Sequence, residues 1–282
     1  MISTELAEEI AKQTAVSLDH LSLQVVQTQF RMQVVQGWQI PQGAKVLEIG
    51  CGQGDMTAVL AHTVGPTGHV TAVDIASPDY GAPATVGESA AHLKSTPLGK
   101  QIEFHFEFDV LDTTKDFPTN AFDYVVLSHC SWYFEDLEQL RQVLLRIRPW
   151  TRHLCYSEWD LEPQTIDQLP HLLAILIQGQ VEAYKVGSAG NVRTPFSRTR
   201  FKQLLQETGW KVTAESTVDS TSLQDAGWEI DICLSDALTD AETLHLPSKH
   251  RELLASQVDI LKAVAGTGKN RSLPSYAIVA DR

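Results

Sequence analysis

The chain has 282 residues, 43% of them hydrophobic and 20% charged, with 22 Lys+Arg against 35 Asp+Glu and a formal net charge of −13. That composition suits a soluble protein with a buried core and excludes intrinsic disorder. With no cluster of lysine or arginine, the acidic balance also argues against a nucleic-acid binder, which needs a cationic face to displace phosphate counterions.

The N-terminus, MISTELAEEIAKQ, is acidic and amphipathic and lacks the basic start and apolar centre of a secretory signal. A short helix around residues 4–14 precedes a longer one in which Val26, Phe30 and Val34 repeat every four residues. Gly37, Pro41 and Gly43 break that pattern, and residues 44–49 then read as a short buried strand carrying Glu48. Residues 55–64 put Met56, Val59, Leu60 and Val64 on one helical face before Gly65-Pro66 ends it. A second strand is expected over 69–75, a helix over 85–94, a third strand over 102–108 and a fourth over 122–128, FDYVVLS. A helix from about Asp136 turns Leu137, Leu140, Leu144 and Ile147 inward until Pro149 stops it. Strand five over 153–159, a helix over 197–208, strand six over 210–217 and a last strand over 276–280 complete the alternation. Such a pattern specifies an α/β fold around a parallel sheet.

Two insertions, about 161–196 and 220–275, are too long for ordinary connections. Leu253, Leu254, Val258 and Leu261 make an apolar stripe in the second, so we read the insertions as a helical cap at the ligand-binding edge of the sheet. No repeat or linker divides the chain. The expected organisation is a pair of N-terminal helices, 1–43, covering the active site, followed by one domain, 44–282. The uncharged stretch 168–181 is too short at helical rise to cross a bilayer. Cys51, Cys130, Cys155 and Cys233 are widely spaced, which gives neither a zinc pattern nor a disulfide framework. A cytoplasmic protein, monomer or homodimer, with no metal, nucleic-acid or membrane partner is the expectation.

The sharpest motif is VLEIGCGQGD, residues 46–55, which sets Gly50, Gly52 and Gly54 in the turn between a buried strand and a helix. Glycine there lets the backbone take left-handed angles and lets a ligand approach without a Cβ in the way. The helix start beyond it offers unpaired N–H groups to an anion. Alone, this turn fits a dinucleotide enzyme equally well. Asp74 ends strand two, 20 residues after Gly54, where a carboxylate can accept hydrogen bonds from ribose hydroxyls. Asp109 ends strand three, placed for an exocyclic amine while the Val110 N–H donates to a ring nitrogen.

With these motifs in this order, residues 45–160 resemble the class I S-adenosylmethionine-dependent methyltransferases, in particular the small-molecule branch of ubiquinone-biosynthesis-like and natural-product enzymes. The resemblance implies a Rossmann-like, seven-stranded, mostly parallel sheet with an antiparallel last strand. It also implies S-adenosylmethionine as cofactor and S-adenosylhomocysteine as product. Glu48, Gly50, Cys51, Gly52 and Gly54 would hold the methionine end, Asp74 the ribose, Ile75 one adenine face, and Asp109 with Val110 the adenine edge. Ser128 and His129 would lie near the amino group and the transferable methyl. Two departures stand out: Phe108-Asp109-Val110 replaces the commoner Gly-Asp-Ala, and Arg148-Pro149-Trp150 replaces Pro-Gly-Gly, which points Trp150 toward the surface.

Plainer readings compete at each position. The glycines could form a turn that binds nothing, the two aspartates could be caps, and Glu48 a paired buried acid. His129, in SHCSWYF, is the candidate general base because imidazole titrates near neutrality, although a histidine satisfied by its surroundings fits as well. Trp132, Tyr133 and Trp159 are expected against the substrate, with core packing as the alternative for the first two. Glu158 and Asp160 either border the substrate or lie on a solvated loop. The function expected is methyl transfer to a small apolar or aromatic metabolite, with oxygen the favoured acceptor. The rivals are a pericyclase or cyclase that uses the sulfonium only as a charge, a non-catalytic binder of the same cofactor, and a nicotinamide dehydrogenase.

Overall fold

A computed structural model describes residues 3–188, 190–266 and 268–282. Seven strands form one sheet: β1 (Lys45–Ile49), β2 (His69–Val73), β3 (Ile102–His105), β4 (Tyr124–Ser128), β5 (His153–Trp159), β6 (Lys211–Val218) and β7 (Ser275–Asp281). Their spatial order is β3-β2-β1-β4-β5-β7-β6. All pairings are parallel except those of β7, which runs antiparallel to both β5 and β6. From β1 the chain winds outward through β2 and β3 and then returns to place β4 on the other side. The carboxyl end of β1 is therefore the switch point, where the two halves diverge and leave a crevice.

Alternation along the strands supplies two cores. Leu47, Val125, Leu127, Leu154 and Tyr156 face one side of the sheet, against α5 (Leu137–Ile147) and α7 (Arg198–Glu207). Val46, Val126 and Cys155 face the other, with α2 (Leu21–Trp38) and α3 (Asp55–Val64). A side-chain period of two lets these inner strands be covered on both faces. β6, on the edge, exposes most of its residues and bulges between Val212 and Ala214, which makes it a poor template for further pairing.

α1 (Thr4–Ala11) packs on α2, and α2 on α3, β6 and β7. α4 (Val86–Ser95) opens with a reciprocal capping box between Thr85 and Glu88, which fixes its start one residue after the expected one. The two insertions supply α6 (Leu169–Glu182), α8 (Asp225–Thr243) and α9 (Ser248–Ala265). These three pack on one another through Ala174, Ile177, Ile230, Cys233, Leu254, Val258 and Leu261, a third apolar cluster separate from the two beside the sheet.

Two expectations need correction. β3 ends at His105 rather than at 108, because Glu107 adopts φ +52 and turns the chain out of the strand. Trp150 is not at the surface: it is 0% exposed, and its indole N–H donates to Asp116 Oδ1 at 2.7 Å. A short 3-10 turn over Arg148–Trp150 takes the place of a glycine turn and folds the ring inward against Phe117.

Candidate active site

The glycine turn lies at the switch point. Gly50, Gly52 and Gly54 have φ of +75, +52 and +86, the left-handed region that other residues enter only at a cost. Gly50 and Cys51 both donate their N–H to Val73 O, which binds the turn to the end of β2. A Cβ on Gly50 would sit 2.7 Å from the Cβ of Cys130, whereas a Cβ on Gly52 would meet nothing within 4 Å. The first glycine is therefore demanded by packing, and the second faces open space.

Asp74, just past β2, accepts the Gly52 N–H at 2.8 Å on Oδ2 and the Ala76 N–H at 2.9 Å on Oδ1. Each oxygen keeps a lone-pair direction free of those bonds. Ile75, beside it, is 65% exposed, a flat apolar surface at the mouth of the crevice. Although β3 is short, Phe108 donates its N–H to Asp74 O and Glu107 to Ala76 O, so the chain stays alongside this loop. Asp109 lies four residues past the strand, where Oδ1 accepts the Leu111 N–H at 2.8 Å, and Val110 is buried.

Glu48 is 2% exposed and accepts the Thr57 hydroxyl at 2.6 Å. Loss of water pushes its pKa up to about 8, against the opposing pull of that hydrogen bond. It lies on β1 under the glycine turn, braced by α3. Cys51 is also buried, and burial raises its thiol far above the ordinary value.

Ser128 Oγ pairs with Ser157 Oγ at 2.8 Å, which joins the ends of β4 and β5. His129 follows with φ +48. Its Nε2 lies 3.0 Å from Ser275 Oγ and its Nδ1 3.3 Å from both Ser128 Oγ and Ser157 Oγ. Phe30 and Trp159 close over the ring edge-on. Burial lowers its pKa to about 3, helped by the positive charge of Arg31. His129 is thus neutral, held at both nitrogens and lowered in basicity, which makes it a weak general base near pH 7.

The expected substrate residues separate. Trp132 is only 3% exposed and belongs to the core, because Arg193 and Thr194 both donate backbone N–H groups to its carbonyl and pull the returning insertion across it. Tyr133 is 46% exposed, and loss of water around its phenol, with the charges of Glu158 and Glu229, pushes its pKa up. Trp159 is partly buried between Phe30, His129 and His171. Glu158 and Asp160 are on no solvated loop. Glu158 accepts from the N–H and hydroxyl of Ser131 at 3.1 and 2.7 Å, and burial raises its pKa to about 7. Asp160 is clamped by Arg198.

Several contributors were not apparent in the sequence. His171, on α6, accepts the Leu273 N–H on Nδ1 at 2.9 Å, so its neutral ring carries the proton on Nε2, and burial lowers its pKa to about 3. Arg31 on α2 pairs with Asp55 at 3.2 Å, and Gln24 Nε2 donates to the same carboxylate at 2.8 Å. One signal was available: Arg31 is the single charged residue in the eighteen of α2. Among the described residues no group of side chains could hold a metal ion, and no helix is long and apolar enough to cross a membrane.

These buried groups set opposing pH trends. His129 and His171 refuse protons that the unfolded chain binds below its ordinary 6.5, so their contribution to stability is complete above that pH and drains as pH falls toward 3. Glu48 and Glu158 keep protons that the unfolded chain loses above 4.5, so theirs is complete below that pH and drains as pH rises through 7 to 8. Folding free energy should change least between pH 4.5 and 6.5, where the two pairs oppose each other, and should decline on both sides by at most ~1.4 kcal/mol per pH unit per group. Denaturant titrations at successive pH values check this. Stability still climbing from pH 7 to 8 would contradict it.

A family model described as a methyltransferase domain matches residues 28–215. Methyltransferase phomM of Diaporthe leptostromiformis is 26% identical over 278 residues, covering 83% of this chain and 72% of that protein. The demethylmenaquinone methyltransferase of Staphylococcus aureus is 31% identical over 122 residues, 41% of this chain and 44% of its own. Among solved structures, a cyclopropane-fatty-acyl-phospholipid synthase-like protein from Lactobacillus casei superimposes with a TM-score of 0.88 at 34% identity, over 99% of this chain and 100% of that one. With its strand order, glycine turn and acids so placed, the chain belongs to the class I S-adenosylmethionine-dependent methyltransferases, and S-adenosylmethionine is its cofactor.

Proposed function

We propose that this enzyme methylates a small, largely apolar or aromatic metabolite held between α2 and the cap, and that the acceptor atom is an oxygen acidic enough to arrive ionised. The open space over Gly52 carries the reading, because it is room for a ligand against bare backbone that no side chain of the protein fills. The residues present fit the nucleoside. Asp74 has lone pairs left for the ribose hydroxyls, Ile75 offers an exposed face to the adenine, and Asp109 with Val110 borders its edge. Glu48 and Cys51 with the glycine backbone would hold the methionine end, and Ser128 lies where the two strand ends meet.

When bound, the cofactor supplies an electrophilic methyl on sulfur. The protein's part is positioning and the exclusion of water. Phe30, stacked on Trp159 at 6.3 Å, forms an apolar wall, and Tyr133 a polar-tipped one. In this reading His129, held by three serines and lowered in basicity by burial, orients that wall rather than accepting a proton, which favours an enol, an acidic phenol or a carboxyl group as acceptor. The demethylmenaquinone enzyme's name is that of a small-molecule methyltransferase, which agrees with this class.

The Lactobacillus casei structure's title supports a second reading, transfer of a methylene to a fatty-acyl chain. Incubation with cofactor labelled CD3 on the methyl separates the two. The expected product retains all three deuterium atoms. Retention of only two would establish methylene insertion, and an unlabelled product of altered structure would indicate rearrangement instead.

A further inference from the structure

His171, in the first turn of α6, is a fully buried residue of the cap that meets the carboxyl rim of the sheet. Its Nδ1 accepts the Leu273 N–H at 2.9 Å, which leaves the ring proton on Nε2. That nitrogen is buried, with no hydrogen-bond partner among the described residues, so it depends on whatever packs against it. A buried N–H without an acceptor is costly. The ring against it is that of Trp159, with centroids 5.5 Å apart and planes at 75°, an edge-to-face geometry in which an N–H can donate to a π face.

The backbone explains why these rings meet. Trp159 ends β5 opposite Ser275, and Asp160 then donates its N–H to Pro274 O at 2.7 Å, so the segment 272–275 runs alongside the tryptophan. The start of α6 fastens to the same segment: Gln168 Nε2 donates to Ser272 O at 2.9 Å, and His171 takes the Leu273 N–H. Two residues on, Ser275 Oγ lies 3.0 Å from Nε2 of His129, whose ring also meets Trp159 edge-on, at 5.3 Å. One extended segment therefore holds both histidines against a single indole, and Phe30 stacks on that indole at 6.3 Å.

We infer that His171 is the positioning residue of Trp159, its Nε2–H donating to the indole π face and fixing that ring as a wall of the acceptor pocket. That the wall faces the acceptor rests on the proposed function; that His171 holds it does not.

Proton NMR of the full chain carrying isotope-labelled histidine, with fluorine NMR of the chain carrying fluorotryptophan, tests this. The His171 Nε2 proton should exchange slowly and be displaced upfield by the indole ring current, and Trp159→Leu should abolish the displacement. His171→Asn keeps an acceptor for the Leu273 N–H but no ring. It should move the fluorine signal of Trp159, identified by its absence from Trp159→Phe, more than those of the other tryptophans, and should leave S-adenosylhomocysteine binding within about threefold. An Nε2 proton without the displacement, or one indifferent to Trp159→Leu, would overturn the assignment. So would a Trp159 signal that moves no more than the others, or a larger loss of S-adenosylhomocysteine binding, since either would mean that His171 supports the whole rim. If His171→Asn fails to fold, the comparison of the unaltered chain with Trp159→Leu still decides. A CD3 incubation that gives no methylated metabolite would remove the acceptor from this pocket and leave these signals as expected.

Discussion

Gly52→Ala should yield a folded protein that no longer binds S-adenosylhomocysteine, with affinity reduced about 100-fold or more, or roughly 2.7 kcal/mol. The added methyl meets no protein atom within 4 Å, so its only steric conflict is with a ligand. The folded state bears just the left-handed backbone, φ +52, at roughly 1–2 kcal/mol. Gly50→Ala is the control with the opposite outcome. Its methyl would lie 2.7 Å from Cys130 Cβ at φ +75, so strain and overpacking combine to roughly 2–5 kcal/mol of lost stability before any ligand is added. Thermal melts with and without S-adenosylhomocysteine read both effects. A Gly52→Ala variant that retains the full ligand-induced rise in Tm would mean that the cofactor does not approach this backbone.

Trp150→Ala should be among the most damaging core substitutions, at about 3–5 kcal/mol. The side chain has no exposed surface, stacks edge-on to Phe117 at 5.2 Å, lies under the Arg146 guanidinium at 5.1 Å and donates to Asp116 at 2.7 Å. Trp150→Phe keeps most of the apolar volume and loses the hydrogen bond, for roughly 1–2 kcal/mol. Urea titration of the two variants gives the split between packing and hydrogen bonding. A loss below about 1 kcal/mol for the alanine variant would mean that the region relaxes around the missing ring.

The same tryptophan shows where sequence reading stops. Elements set by local pattern were legible: α3 and β5 fall on the expected residues, and β1, β4 and β7 within two. So was the spacing from Gly54 to Asp74, because one strand-helix-strand unit fixes it. Trp150 was misplaced because a 3-10 turn, not the usual glycines, decides its direction. The strand before Asp109 was drawn too long because nothing in the side chain of Glu107 announces its left-handed backbone. What could not be read at all is what joins distant parts. Ser275 meets His129 across 146 positions, Leu273 meets His171 across 102, and Arg31 meets Asp55 across 24. Periodicity carries no information at those separations. His129 is the clearest case: its residue type suggested a base, and nothing local announces the three serines, drawn from three strands, that hold its ring.

The apolar cluster of α6, α8 and α9 shares no residue with the two beside the sheet. Ile175 and His171 still tie α6 to the sheet side, so α9, which packs on α6 and α8, is the helix of the three whose residues can change with least effect on the strands and the glycine turn. That partial independence is a structural licence for evolutionary diversification.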